Sequence, residues 1–270
     1  MKIILPIGTA CFFAILMLAG FREMNPSYEP FDANSSVTIF FDNVVGNDDL
    51  KLEELTYKNG TGESFSVSQL QYFISNIKLI KPDGTEYTVP QDSSYFLVRE
   101  SDPATQKMTL KIPGGEYSKL VFVLGVDSVR NTMDVSKRTG VLDPASSMDN
   151  GMYWGWNSGY IFFKIEGSST SAPEDPAGRQ KFRYHIGGFG GYSAPTINNI
   201  KVITVDLSKD VVQASPIKNT LIHLKADVQK IFDGPVKVSI AAHPSVMFSQ
   251  YSTNIANNYS QMFSHYRTEN

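Results

Sequence analysis

His185 closes a β-type run and stands just before the glycine string Gly187-Gly188-Phe189-Gly190-Gly191. His243 follows Ala241-Ala242 and precedes Pro244, again where a run gives out, and Met247 comes soon after. Imidazole nitrogen suits copper and zinc, and a thioether suits Cu(I). Strand ends that meet at one rim of a β fold bring distant residues together, so His185, His243 and Met247 are the candidate metal ligands. Imidazoles also serve as hydrogen-bonded structural groups, and His223, inside a β run, and His265, in the tail, fit that use better. The string Met152-Tyr153-Trp154-Gly155-Trp156-Asn157-Ser158-Gly159-Tyr160 holds both tryptophans of the chain, one residue apart. In extended chain that spacing turns Trp154 and Trp156 to one face. Such a face fills a core, stacks on a carbohydrate or a partner protein, or borders a redox metal.

Other chemistry has little footing. There is no Gly-x-Ser-x-Gly elbow, no Walker loop and no His-Glu-x-x-His, so no catalytic residue is assigned and a non-enzymatic role is expected. The glycine string does not open a helix and reads as a turn. Asp42 to Asp49 is rich in oxygen ligands but lacks the alternate-position spacing of an EF-hand loop, and reads as a solvated turn between strands. The formal charge is −3, with no Lys/Arg cluster, which argues against a nucleic-acid ligand because phosphate neutralisation needs a concentrated basic face.

The elements that must position these residues are strands. Lys2, the apolar run Ile3–Gly20 and the small pair Ala19-Gly20 have the order of a signal peptide, which implies export to the periplasm or beyond. Retention as a membrane anchor stays open beside cleavage, because a spanning helix needs about 20 apolar residues. The single cysteine, Cys11, follows a loose lipobox, but apolar residues continue after it; lipidation there fits less well. Residues 21–35 read as a polar tether and 36–270 as one domain. About a dozen short β runs punctuated by Gly, Pro, Asp and Asn include Val37–Phe41, Tyr72–Ile80, Met108–Ile112, Tyr160–Ile165, Phe182–Ile186, Leu221–Ala226 and Val236–Ile240. They predict an all-β fold, a single β-sandwich of antiparallel strands. Met247, Tyr251, Ile255, Tyr259 and Phe263 recur every fourth residue, which predicts a short C-terminal helix packed on the sheets. Asp127–Tyr153 and Gly167–Gln180 read as long loops.

Several strings, in order, resemble the MbnP-like proteins. They are Tyr57-Lys58-Asn59 … Gly62-Glu63 … Leu70-Gln71-Tyr72-Phe73-Ile74-Ser75-Asn76-Ile77, then Leu124-Gly125-Val126-Asp127-Ser128. The tryptophan string, Tyr184-His185-Ile186-Gly187-Gly188 and Asn258-Tyr259-Ser260-Gln261-Met262-Phe263 follow. The likeness covers roughly residues 36 to 265. It implies a secreted β-sandwich that binds copper, handling or storing it, in a family named for a methanobactin-associated periplasmic member. It further implies a tryptophan, here Trp154 or Trp156, oxidised beside the metal by a partner di-haem enzyme of the cytochrome c peroxidase type, with His185 among the ligands. Two departures stand out. Asn43 occupies the place of a family histidine in Phe41-Asp42-Asn43, and the tail Ser264–Asn270 carries the single histidine His265. A carboxamide does not replace a neutral imidazole donor, so a metal site poorer in histidine is expected.

Overall fold

The computed structural model describes residues 34–156 and 159–270; the run read as a signal peptide, Cys11 and most of the expected tether lie outside them. Strand β1 (Ser35–Val45) buries Val37, Ile39 and Phe41 completely, the period-2 pattern of a strand with one face on a core. The other long strands are β2 (Ser64–Ile80), β3 (Tyr95–Arg99), β4 (Lys107–Ile112), β5 (Lys119–Leu124), β6 (Gly159–Ser168), β7 (Lys181–Gly187), β8 (Lys201–Asp206) and β9 (Thr220–Asp227). A two-residue strand β10 (Ser245–Val246), helix α1 (Ser252–Tyr259) and strand β11 (Phe263–Glu269) complete the C-terminal part.

One sheet runs β11-β9-β1, with β4 and the short strand Asp48–Asp49 on the other side of β1. The second runs β8-β5-β2-β6-β7-β10, with β3 also paired to β2. Aromatic rings join the two sheets. Phe41 of the first meets Tyr72 and Phe122 of the second edge-on at 6.2 and 6.0 Å, and Phe263 meets Phe122 at 5.1 Å. Edge-to-face pairs of this kind are worth about 0.5–1.5 kcal/mol each beyond their burial.

The all-β expectation holds, but the sheets are mixed rather than strictly antiparallel. β1 pairs in parallel with β9 from Val37↔Thr220 to Val44↔Asp227, and β7 pairs in parallel with β10. Parallel neighbours need a long crossover, and nearly the whole domain separates β1 from β9. The C-terminal helix is shorter than its four-residue period predicts. Ile255 and Tyr259 are fully buried on α1, but the chain turns at Gln261 and Phe263 joins the core from a strand. Val236–Ile240 is not a strand. Its apolar side chains Val238 and Ile240 are buried, yet its backbone is held by side chains: Asn258 accepts from the Val236 N–H and Glu63 from the Ile240 N–H.

The Asp127–Tyr153 stretch is also more ordered than a loop. It folds into four short helical turns, three of them opened by an aspartate whose carboxylate takes a backbone N–H of the first turn: Asp127 from Arg130, Asp134 from Ser136 and Asp143 from Ala145. Aspartate at this position satisfies donors that the helix itself leaves unpaired. No described helix is long and apolar enough to cross a membrane.

Candidate metal centre and aromatic cleft

Strand register decides which side chains share the outer face of the second sheet. Lys164 lies opposite Gln71 on β2 and opposite His185 on β7. Glu166 lies opposite Arg183, which pairs in turn with Ser245 of β10. Tyr184 and Val246 are paired and both buried, so the alternation of strands turns Arg183, His185, Ser245 and Met247 outward. The parallel pairing ends at Val246, and Met247 follows it in a bend. Met247 is 39 % exposed.

His185 Nε2 is 2.7 Å from Glu166 Oε1, and Lys164 Nζ stands 3.4 Å from the same oxygen. The hydrogen bond from His185 is the main influence on Glu166. Together with the Lys164 charge it outweighs burial and holds this carboxyl at about 2. An ionised carboxylate only accepts, so the proton of a neutral His185 sits on Nε2 and the Nδ1 lone pair is left for another partner. Metal-binding imidazoles are braced in this way, by donating the second ring N–H to a carboxylate.

His243 belongs to a different neighbourhood. Its ring lies flat on Tyr251, centroids 3.6 Å apart at 23°. The turn that carries it is fixed by Glu63, whose carboxylate takes the Ser239 hydroxyl at 2.8 Å and the N–H groups of Ile240 and Ala241 at 2.7 and 3.0 Å. Pro244 O accepts from Arg183 N, which sets His243 some four residues down β7 from His185, roughly 13 Å of extended chain. The two imidazoles therefore do not converge. His223 pairs with Glu269 and His265 with Thr268, as structural histidines do. Among the described residues no three His, Cys, Asp or Glu side chains are grouped to hold a metal ion. A three-histidine centre does not fit these residues. The braced His185 offers one imidazole donor, Nδ1, and the part-exposed Met247 thioether follows the short strand that pairs with β7.

The tryptophans do not share an exposed face. Trp154 ends a two-residue strand on β6 and is 6 % exposed, whereas Trp156 falls in the following turn and is 69 % exposed. The turn at Gly155 breaks the alternation that extended chain would impose. The indoles still touch, 5.4 Å apart and tilted by 42°. Trp154 is seated against Phe248 and over Gly187, where a Cβ would come 2.7 Å from the indole ring. A cleft of about 180 Å³ opens beside it, lined by Gly188, Phe189, Tyr192 and Phe248, and Tyr192 on its rim is 78 % exposed. The glycine string is a turn, as its composition predicts. Gly188, Gly190 and Gly191 all have positive φ, a conformation glycine adopts without steric penalty.

Sequence reasoning missed Glu166, Lys164 and Glu63. A signal for the first two was present: Lys164 and Glu166 are alternate residues following an apolar run, a spacing that puts both on one strand face.

The profile of the MbnP family matches residues 34–248. The solved structure of MbnP from Methylosinus trichosporium superimposes with a TM-score of 0.55 at 16 % identity, covering 80 % of this chain and 81 % of that one. No curated protein matches.

Proposed function

We propose, starting from the fact that the chain belongs to the MbnP family, that it is an exported protein that handles copper without catalysing turnover. The observation that carries this reading is the carboxylate-braced His185 on β7, with the part-exposed Met247 just past the short strand paired to it. Copper, when bound, supplies the redox and Lewis-acid chemistry. The chain's part is to present Nδ1 in the correct tautomer through Glu166 and to offer the soft sulfur of Met247. Anaerobic Cu(I) titration against a chromophoric chelator tests this. The expected result is about one Cu(I) per chain, with binding lost in the His185→Ala/Met247→Ala double variant. Glu166→Gln should weaken it about tenfold, the usual effect of removing such a brace, while His243→Ala should leave it unchanged. No copper retained at micromolar metal, or wild-type affinity in the double variant, refutes the reading.

A second reading is favoured by the exposure of Tyr192 at the cleft and of Trp156, which packs on the cleft's Trp154: an aromatic surface for a carbohydrate or a protein partner. With Trp154 buried, the surface offers one indole rather than a pair. In the copper reading Trp156 is also the indole that a partner di-haem enzyme would reach.

A further inference from the structure

We infer that the groove where β2, β6 and β7 end together is a binding site for a phosphate-class oxyanion, free or as a phosphomonoester. It is a cavity of about 420 Å³, within the size range of small-ligand sites. Its lining includes six hydroxyl side chains, of Thr56, Ser64, Ser66, Ser168, Ser169 and Thr170, together with the cations Arg179 and Lys181, and no carboxylate. Register builds the floor. Ser66, Ser168 and Lys181 are consecutive partners across the three strands, so their side chains stand in one row on the outer face.

The wall is held by its own bonds. Ser169 Oγ donates to Ser64 O at 2.7 Å, and Gln180 Nε2 donates to Thr170 O and Ala172 O at 3.1 and 3.2 Å. Arg179 Nε is fixed by Asp175 at 2.9 Å, and that carboxylate lies outside the groove lining. Lys181 forms no ion pair among the described residues. In the next row, Glu166 is already paired with Lys164 and hydrogen-bonded to His185, and its neighbour Arg183 adds positive charge to the face. A chain of net charge −3 thus concentrates cations and hydroxyl donors in one recess. A tetrahedral anion with several acceptor oxygens uses both kinds of group through charge-assisted hydrogen bonds. A metal ion has no anionic ligand here, and a nucleic acid has no exposed aromatic face to stack on.

Calorimetric titration of the mature chain with inorganic phosphate, glucose 6-phosphate and neutral glucose tests the site. Either anion should bind saturably in the low millimolar range and more weakly at high salt, and glucose should not bind. Tighter binding of glucose 6-phosphate than of phosphate identifies an ester as the ligand, and equal binding identifies the free anion. Lys181→Gln and Arg179→Gln should each weaken binding about fivefold or more, with an unchanged melting temperature because both side chains sit at the surface. Glucose binding as well as the anions, no saturation below about 20 mM, or wild-type affinity in both variants overturns the inference.

Discussion

Replacing Glu63 with glutamine should be among the most destabilising single-atom changes in the domain. This carboxylate joins the segment before β2 to the Ser239–Ala242 turn, accepting from Ser239, Ile240 and Ala241, and on its own side from Asn59 Nδ2 at 2.8 Å and Thr61 Oγ1 at 3.0 Å. Burial pushes its pKa up, but the donors from Ala241, Asn59, Ile240 and Ser239 outweigh burial and hold it at about 2, against an ordinary 4.5. That gap corresponds to about 3 kcal/mol of preference for the folded state. A folded pKa below the unfolded one contributes stability that is fully present above the unfolded value and is lost as pH falls toward the folded one. Glu63→Gln keeps the shape but loses the charge and points an amide N–H₂ at donors. The expected loss at pH 7 is about 3 kcal/mol, and at roughly 2–4 °C per kcal/mol for a domain of this size the melting temperature should fall by about 6–12 °C. Between pH 7 and pH 3 the wild type should give up about 2 kcal/mol of this advantage, so the two unfolding curves should draw together. Scanning calorimetry of both proteins at pH 7, 5, 4 and 3 measures it. A melting temperature within 2 °C of wild type at pH 7, or a difference that stays constant down to pH 3, would refute the assignment of the turn's order to this carboxylate.

Asn258 is fully buried, donates to Ile231 O and Val236 O at 2.8 and 2.7 Å, and accepts from Val236 N. Asn258→Ala leaves three backbone groups unpaired and should cost about 2–4 kcal/mol in denaturant unfolding; a change under about 0.5 kcal/mol contradicts the network. Trp156 should carry nearly all of the tryptophan fluorescence open to acrylamide, since Trp154 is 6 % exposed. Trp156→Phe should leave a blue-shifted, poorly quenched emission, and a readily quenched remainder would show Trp154 to be open to solvent.

Much of the fold was legible because a strand advertises itself locally. Val37, Ile39 and Phe41, and the glycine turn with Gly188, Gly190 and Gly191 at positive φ, follow from alternation and turn chemistry alone. The parallel partnership of β1 and β9 was not legible, since no local pattern encodes which distant strand lies alongside. The overlong helix came from reading Phe263 as the next step of a period that the turn at Gln261 had ended. The missed helical turns were signalled by Asp127, Asp134 and Asp143, residues that read equally well as loop formers. At the candidate site, His185 lies near the end of β7 and Met247 just past β10, the strand that pairs with it. His243 does not join them, because the Glu63 clamp and the stack on Tyr251 place it elsewhere. Trp154 and Trp156 were separated by a turn that only the folded chain reveals.

The pairing of Val37 with Thr220 also orders events in time. During synthesis the first strand can pair with β4 early, but its other edge must wait, unpaired, until β9 near the C-terminal end of the chain is made. Late contacts of this kind slow folding and prolong exposure of sticky edges. Closure of β1 on β9 is therefore a late step in assembling the first sheet.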